Sequence, residues 1–448
     1  MSVTARQSVV SIDPRRAALT KIRRRLLPYL LVLYAVAFLD RVNIGYAKTA
    51  MERDIAGLHA LYGFLAGVFF IGYVLFEVPS NLGLRRFGAR RWIARIMISW
   101  GAVAALTGVC STPASIGVVR FTLGVMEAGF FPGIALYLTL WLPRRELARA
   151  FAVFISAQVI SMIIGAPVSG LILDHIHWAG VESWRWLFVL EGIPAVVLGV
   201  ITLVFLPDSP SEARWLDAKE KDWITTTTAQ ETNSDRTSLT AGTWAVFRNP
   251  QALCLALIDL LLVLSAFGLT FYLPAIIESF GTGISHTEST LLTVIPFTVG
   301  GVAMFLNGWH SDHTRERSYH VALAAVIGAG GFVLLASAAS MGTSLLALSL
   351  AAVGAYGYIS VFWVMPATVL SKNAAPVGLA AINSVGSSGG FFGPYLVGFI
   401  SADTASVQHG GVSSPALYVL AASFLVAALL LVGFKRVEQR TAYMAPVR

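Results

Sequence analysis

Residues 81–91 read NLGLRRFGARR, and residues 308–317 read GWHSDHTRER, two related basic stretches in the two halves of the chain. Each follows the second long apolar run of its half. One basic connection of this kind is an ordinary orientation signal, because lysine and arginine accumulate on the cytoplasmic side of membrane proteins. Two related copies at equivalent places are more specific, since they predict two parallel repeats packed around a central cavity.

Twelve apolar runs are long enough to cross the hydrocarbon core of a bilayer, which takes about 20 residues of helix. Six precede a polar interval and six follow it. They fall near 26–48, 60–84, 92–111, 114–141, 147–173, 186–206, 251–278, 287–309, 319–340, 343–371, 378–401 and 414–434. The predicted fold is an all-α membrane protein of twelve transmembrane helices in two six-helix repeats.

The same pattern divides the chain into five segments. They are a basic cytoplasmic tail at 1–25, a six-helix bundle at 26–206, a cytoplasmic linker at 207–250, a second bundle at 251–434 and a cytoplasmic tail at 435–448. In the linker, Ser209, Pro210 and Glu212 predict the start of a short surface helix that ends near Ile224. We interpret Thr225–Thr228 and Asn233–Ser238 as flexible connector.

The composition assigns the protein to the membrane class. Hydrophobic residues make up 56% of the 448 residues and charged residues only 12%, whereas a soluble domain carries about a quarter charged residues. The net charge of +8 does not indicate nucleic-acid binding, because the basic residues sit in short connections between apolar runs. Their alternation predicts a multi-pass protein of the bacterial inner membrane with both termini in the cytoplasm.

The second basic stretch resembles the signature loop of the major facilitator superfamily. In that loop a glycine is followed four residues later by an acid, and then by a glycine and clustered arginines. The copy in the second half retains Gly308 and Asp312 and continues to Arg315. The resemblance implies two repeats that rock against each other, with these residues in the gating network.

The first basic stretch departs from that pattern at its acidic position. Asn81 and Arg85 stand in place of the glycine and the acid, while Gly88, Arg90 and Arg91 remain. The departure weakens the match where an ion pair would latch one conformation. By resemblance, the two retained arginines are assigned to the gating network as well.

Three further segments resemble a narrower group, the anion:cation symporter family of that superfamily. They are residues 38–45 (FLDRVNIG), 77–81 (EVPSN) and 120–133, and a Pro-Asp-Ser-Pro segment follows the sixth run. The resemblance covers most of the chain. It implies import of an organic anion, such as a sugar acid, tartrate, phthalate or hydroxyphenylacetate, together with protons.

Five charged side chains lie inside the apolar runs: Asp40, Arg41, Glu77, Arg120 and Glu127. A charged side chain near the bilayer centre costs at least about 2.5–3.5 kcal/mol on insertion scales, so each is a functional candidate. A buried carboxyl group near an arginine can take up and release a proton near neutral pH. A guanidinium in the same place can hold a carboxylate with two donors.

Asp40 and Arg41 are adjacent, and adjacent helical residues point about 100° apart, so one can meet a neighbouring helix while the other faces a cavity. A structural ion pair between helices is the plainer interpretation of such charges. The resemblance favours function instead. It implies that Asp40 and Glu127 carry the protons and that Arg41 binds the carboxylate of the substrate.

Arg120 and Glu127 are seven residues apart, about 10 Å along one helix face, so each needs another partner. Gly124 between them permits close approach of a neighbouring helix. We expect Arg120 to organise the nearby charges and Glu77, near the basic loop, to act as a gate or latch. The role of Asp259, in the seventh run, is left open.

Polar and aromatic residues in four other helices are assigned mainly by resemblance. Gln158 is a mid-depth hydrogen-bonding group whose alternative role is packing between helices. Together with Arg41, the substrate-binding set implied by the resemblance comprises Tyr73, Gln158, Ser360, Trp363 and Asn383.

We therefore predict a secondary transporter that imports a small organic carboxylate by proton symport through alternating access. The alternative on the same fold is a proton-driven exporter of metabolites or drugs.

An enzyme or sensor is not expected, since the sequence has no nucleophile arrangement, phosphate loop or metal-ligand cluster. His175 and His177 are interpreted as a solvated loop pair. The predicted protein needs no cofactor or metal besides the proton as coupling ion and functions as a monomer in the lipid bilayer.

Overall fold

The computed structural model describes residues 13–236, 249–281, 283–370, 375–402 and 407–444, and they are almost entirely helical. The first half contains α1 (Pro14–Asp54), α2 (Leu58–Phe87), α3 (Ala89–Leu106), α4 (Pro113–Glu127), α5 (Phe130–Trp141), α6 (Arg144–His175) and α7 (Ser183–Phe205). A connecting helix, α8 (Ala218–Arg236), follows. Short 3₁₀ turns occupy Thr107–Val109, Trp178–Gly180 and Pro210–Glu212.

The second half repeats the helical arrangement. It contains α9 (Pro250–Thr270), α10 (Leu273–Phe280), α11 (His286–Thr314), α12 (Ser318–Ala336), α13 (Met341–Gly357), α14 (Ile359–Phe362), α15 (Pro366–Val369), α16 (Ala375–Ala402) and α17 (Ser414–Met444). A two-stranded hairpin of β1 (Val407–His409) and β2 (Val412–Ser413) lies between α16 and α17.

Within the described residues, eleven helical segments are long and apolar enough to cross a membrane. Large apolar side chains point outward from them, including Val204, which is 90% exposed, and Phe305, which is 72% exposed. Such a surface fits lipid, where outward apolar groups carry no penalty. The remaining predicted run, 378–401, forms α16, which is 28 residues long but is not among those eleven. The all-α membrane class is confirmed, and the count of twelve spans is not fully tested.

Three of the predicted runs are broken inside the fold. The run at 114–141 breaks between α4 and α5, where Gly129 adopts φ +81°, a left-handed conformation that glycine tolerates. The run at 251–278 breaks before Pro274, and the run at 343–371 breaks before Pro366. Proline lacks an amide donor and fits the first turn of a new helix, so it restarts helices at these points.

The two halves meet along α2 with α16 and α6 with α11. We call the end where α1 joins α2 and α6 joins α7 the distal end. There the Tyr62 hydroxyl donates to the Phe271 carbonyl at 2.9 Å. Asp174 accepts from the backbone amides of His286 and Thr287 at 3.1 and 2.7 Å. These contacts between the halves close the distal end.

The termini and the linker are more helical than predicted. The first helix begins at Pro14, inside the expected tail at 1–25, and α17 runs on to Met444, past the expected boundary at 434. The interpretation of Thr225–Thr228 and Asn233–Ser238 as flexible connector is wrong as far as Arg236, because α8 contains these residues. Residues 237–238 lie outside the described residues. The Thr225 and Thr228 hydroxyls donate to carbonyls one turn back, which lets threonine fit a helix.

Close packing of α4 against α2 predicts a large effect for Gly124→Ala. A Cβ atom at Gly124 would lie 1.9 Å from the Phe69 carbonyl oxygen, so the two backbones would have to separate. Overpacking of this kind costs about 1–3 kcal/mol. We expect a lower thermal unfolding temperature for purified Gly124→Ala in detergent.

Gly117 offers a matched control in the same helix pair. A Cβ atom there would lie 3.2 Å from Leu65 Cδ2, the flexible end of a side chain that can shift. We expect Gly117→Ala to unfold close to the wild-type temperature. Equal unfolding temperatures for Gly124→Ala and the wild type would contradict the close approach of α2 and α4.

Candidate functional site

A cavity of about 110 Å³ lies between the two halves. That volume holds several water molecules, each needing about 10–15 Å³. The first half lines it through α1, α2, α5 and α6, and the second through α9, α13, α14 and α16. Its lining combines aromatic rings with a few polar groups, namely Tyr34, Phe38, Arg41, Phe70, Tyr73, Phe131, Gln158, Asp259, Phe267, Thr270, Tyr356, Tyr358, Trp363, Asn383 and Ser387. This is the usual composition of a small-molecule site.

Arg41 is the cationic group of the cavity wall. Its guanidinium Nη2 donates to Glu127 Oε1, and both side chains are buried. The rings of Tyr73, Phe69 and Phe38 lie 5.2, 5.3 and 5.6 Å from its Cζ atom, within the range of cation–π attraction. One face of the guanidinium group is thus held by aromatic rings and one edge by a carboxylate, while the residue still lines the cavity.

Asp40 turns away from the cavity, as adjacent helical positions require. Its carboxylate Oδ2 accepts a hydrogen bond from Trp100 Nε1 at 2.8 Å, and its exposed fraction is 1%. The other oxygen, Oδ1, has no hydrogen-bond partner among the described residues. The sequence-predicted proton site at Asp40 therefore lies within the first half, behind the cavity wall.

Arg120 braces the helix that carries Arg41. Its Nη2 donates to the backbone carbonyls of Arg41 and Ala66 at 3.2 and 3.4 Å, and the side chain is fully buried. Arg120 and Glu127 form no direct bond, as their seven-residue spacing predicts. Glu127 pairs with Arg41 instead. Arg120 thus ties α4 to α1 and α2 without entering the cavity lining.

Glu77 links α2 of the first half to α16 of the second half. Its Oε1 accepts from Asn383 Nδ2 and its Oε2 from the Ser384 hydroxyl, both at 2.9 Å. Glu77 belongs to α2 and the two donors belong to α16. Asn383 also lines the cavity, so a ligand there would compete with Glu77 for the amide.

The other residues assigned to substrate binding divide into two groups. Tyr73, Gln158 and Trp363 line the cavity, and Gln158 Nε2 donates to the Tyr34 hydroxyl at 2.7 Å. Ser360 does not line it. Its hydroxyl donates to the Met304 carbonyl at 2.7 Å, which directs it toward α11.

The first basic stretch pairs with an acidic residue from a distant part of the chain. Gly88 adopts φ +86°, and the next turn presents the Arg90 amide to Asp208 Oδ1 at 2.8 Å. The Arg90 guanidinium lies 3.4 Å from Asp208 Oδ2. Arg91 is exposed. Asp208, in the Pro-Asp-Ser-Pro segment, thus partners this loop although position 85 carries no acid.

The second basic stretch forms its own ion pair. Asp312 Oδ1 lies 2.7 Å from Arg317 Nη2. Arg315 ends α11 in a left-handed conformation with φ +56°, so the chain turns sharply there. A Cβ atom at Gly308 would lie 2.8 Å from the Ser360 hydroxyl, which explains the small residue at that position.

Sequence reasoning missed a buried acid inside one of the apolar runs. Glu191 lies in α7, is 3% exposed, and its Oε1 accepts from the Ser169 hydroxyl at 2.6 Å. Its signal was present, because it interrupts the apolar run at 186–206 just as Asp40 interrupts the first run. Asp259, left open from sequence, is 2% exposed and lines the cavity.

Within the described ranges, no group of three or more histidine, cysteine, aspartate or glutamate side chains is placed to hold a metal ion. The ring nitrogens of His175 and His177 instead contact the carbonyls of Leu171 and Asp174. The groups that line the cavity offer ion pairing, hydrogen bonding and proton exchange on a carboxyl group.

Comparisons with known proteins agree with this architecture. The family model of the Major Facilitator Superfamily matches residues 30–394. The chain is 40% identical over 439 residues to a protein of Agrobacterium vitis named "Putative tartrate transporter", covering 97% of this chain and 96% of that one. It is 35% identical to the "Quinolone resistance transporter" of Acinetobacter baumannii, covering 89% and 92% of the two chains.

The fold is also that of a solved transporter structure. The xylose transporter XylE from E. coli, in a partially occluded inward open conformation, superposes with a TM-score of 0.70 at 14% identity. The match covers 91% of this chain and 97% of that chain. At this identity the likeness extends to the fold alone.

Proposed function

Because the chain belongs to the Major Facilitator Superfamily, a superfamily of transporters rather than enzymes, we propose that it carries a small organic carboxylate together with protons. It is a multi-pass membrane protein and a secondary transporter. The similarity to proteins named as tartrate transporters supports an organic acid as the substrate. The proposed cycle is alternating access, in which the two halves rock about the central cavity.

The observation that carries the proposal is the buried pair of Arg41 and Glu127 at the cavity wall. A substrate carboxylate and the Glu127 carboxylate need the same guanidinium donors. Protonation of Glu127 removes its charge and releases Arg41, which can then hold the substrate with two hydrogen bonds. Loss of that proton restores the internal pair and expels the anion. Competition for one cation therefore couples the proton to the substrate.

The rest of the cavity supplies orientation. We propose that Tyr73, Gln158 and Trp363 contact the remainder of the anion and that Asn383 exchanges its bond to Glu77 for one to the ligand. Such an exchange would loosen α2 from α16 as the substrate binds. Ser360 receives no direct role, since its hydroxyl is engaged by Met304.

Asp40 is proposed as the second proton site. Its carboxylate is buried and retains one oxygen without a protein donor. A buried carboxylate with an unmet oxygen gains from taking up a proton. The position behind the cavity wall lets it hold a proton without contact with the substrate.

The orientation follows the positive-inside pattern of the basic connections. We propose a bacterial inner-membrane location with both termini in the cytoplasm, so that the closed distal end faces outward and the cavity is accessible from inside. One chain contains the whole proposed pathway, which supports function as a monomer. No cofactor takes part in the proposed cycle.

Uptake into proteoliposomes tests the proposal. With acid outside and labelled tartrate as the probe, we expect the purified protein to accumulate the anion above its external concentration. A protonophore should abolish the accumulation while leaving tartrate exchange intact. Accumulation that is unaffected by the protonophore and by the pH gradient would rule out proton symport.

Export of drugs is the second candidate, favoured by the 35% identity to a quinolone resistance transporter. The cavity arginine counts against export of purely cationic drugs, because a guanidinium offers no attraction to a cation. The same proteoliposomes separate the two functions. Proton-driven transport of a quinolone out of the cytoplasmic side, with no transport of tartrate, would support the exporter.

A further inference from the structure

Asp259 is a buried acid at the cavity that the proposed cycle leaves without a role. It lies in the middle of α9, is 2% exposed, and lines the cavity. Its carboxylate forms no hydrogen bond or ion pair with any residue in the part of the chain that the structure describes. Burying such a group without a partner is costly. A ligand in the cavity is therefore the available source of a partner.

The carboxylate of Asp259 is held in place by tight packing against α16. A Cβ atom at Gly386 would lie 1.8 Å from Asp259 Oδ2, so the carboxylate rests directly on the backbone of that glycine. Asn383 and Ser387, on either side of Gly386, line the same wall. The phenol of Tyr358 is its electrostatic neighbour and lines the cavity too. The glycine thus leaves room for a carboxylate at one fixed position.

The cavity consequently presents a guanidinium group on one wall and a carboxyl group on the other. Arg41 belongs to α1 in the first half, and Asp259 belongs to α9 in the second half. A plain carboxylate bound at Arg41 would bring no hydrogen-bond donor to Asp259. An anion that also bears a hydroxyl or ammonium group would satisfy both walls at once.

We propose that Asp259 accepts a hydrogen bond from a donor group on the transported anion. The site then selects carboxylates that carry a hydroxyl or ammonium group over carboxylates of the same size that lack one. This inference rests on the proposed function, since it assumes that the carboxylate of the anion binds Arg41. Sites built to bond a substrate donor reject analogues that lack it, because a buried polar group is then left unpaired.

Calorimetric binding to the purified full-length protein tests the selection with matched ligands. The pairs are tartrate and succinate, aspartate and succinate, gluconate and hexanoate, and hydroxyphenylacetate and phenylacetate. For at least one pair we expect the wild type to bind the donor-bearing anion about tenfold or more tightly, as one charge-assisted hydrogen bond allows. In Asp259→Ala the ratio of the two affinities should fall to near one, because the donor-bearing anion binds more weakly than it does to the wild type.

Asp259→Asn keeps the size of the side chain and tests the same point if the alanine variant does not fold. It retains a carbonyl acceptor without charge, so it should bind a hydroxyl partner moderately less well and an ammonium partner much less well. Asp222→Ala, which removes an exposed acid from α8, is the control and should keep the wild-type ratio.

An unchanged ratio in both Asp259 variants would overturn this assignment, and so would a wild type that distinguishes no pair. Arg41→Ala measured in parallel separates the two hypotheses. If Arg41→Ala no longer binds either anion of a pair while the Asp259 variants keep the wild-type ratio of affinities, only the selection by Asp259 fails. If Arg41→Ala binds every anion as the wild type does, the docking of the carboxylate on Arg41 fails as well, and if the wild type binds none of these carboxylates, the proposed function fails.

Discussion

Arg41→Ala is expected to weaken binding of the transported anion about 100-fold or more, equivalent to about 3 kcal/mol. The guanidinium is the cation that lines the cavity beside Tyr73, and it offers two parallel donors to a carboxylate. Alanine removes the charge and both donors. Calorimetric titration of the purified protein with tartrate, and with the other carboxylates used above, measures the loss.

Two further variants distinguish a loss of anion binding from misfolding of the protein. Arg41→Ala alone leaves Glu127 buried without its partner, and breaking such a pair costs about 3–5 kcal/mol of stability. The double variant Arg41→Ala with Glu127→Gln removes the stranded charge and should still fail to bind. Arg145→Ala, at an exposed position of α6, should bind normally. Near-wild-type affinity in the double variant would show that the anion docks elsewhere.

Glu127→Gln is expected to separate transport from proton coupling. Glutamine has the size of the protonated acid and carries no charge, so Arg41 is free for the anion at every pH. We expect exchange of labelled for unlabelled tartrate across proteoliposomes to continue within about threefold of the wild-type rate, because binding no longer waits for a proton. Accumulation driven by a pH gradient should disappear.

Glu182→Gln is the control for that change. Glu182 is exposed in the connection before α7, and its replacement should leave exchange and accumulation intact. Asp40→Asn tests the second proton site in the same assay and should also lose accumulation. Full accumulation by Glu127→Gln would remove Glu127 from the coupling mechanism.

The fold was largely predictable because its determinants are local. Apolar runs of transmembrane length and two basic connections at equivalent places need no knowledge of distant contacts. The helix breaks were harder to place. Gly129, Pro274 and Pro366 are ordinary residues in membrane helices, and only packing decides whether they kink a helix or divide it.

Five of the residues predicted to bind substrate line the cavity, namely Arg41, Tyr73, Gln158, Trp363 and Asn383, but the pairings of the charged groups were not predicted. Helical geometry indicated that Asp40 and Arg41 diverge, and the structure separates them as expected. The bond from Arg41 to Glu127 spans 86 positions and that from Arg90 to Asp208 spans 118, so neither is visible in local spacing. Ser360 shows the converse, because a residue assigned by resemblance turns its hydroxyl to Met304 rather than to the cavity.

The role of Asp259 depends on the fold and does not follow from the sequence alone. An acid in an apolar run is a functional candidate by its cost alone. Its role depends on which helix it faces, and only the fold places its carboxylate on Gly386 and at the cavity wall. Glu191 carries the same kind of signal, an acid that interrupts an apolar run, and only the fold shows that it is buried beside Ser169.

Proton uptake during anion binding is the most direct test of the competition between Glu127 and substrate for Arg41. The measurement follows the pH of a weakly buffered solution of purified protein as a bound carboxylate is added. The wild type should take up protons, and Glu127→Gln should take up about one fewer per anion bound, since its side chain cannot titrate. Equal proton uptake by the two proteins would contradict the shared use of the Arg41 guanidinium.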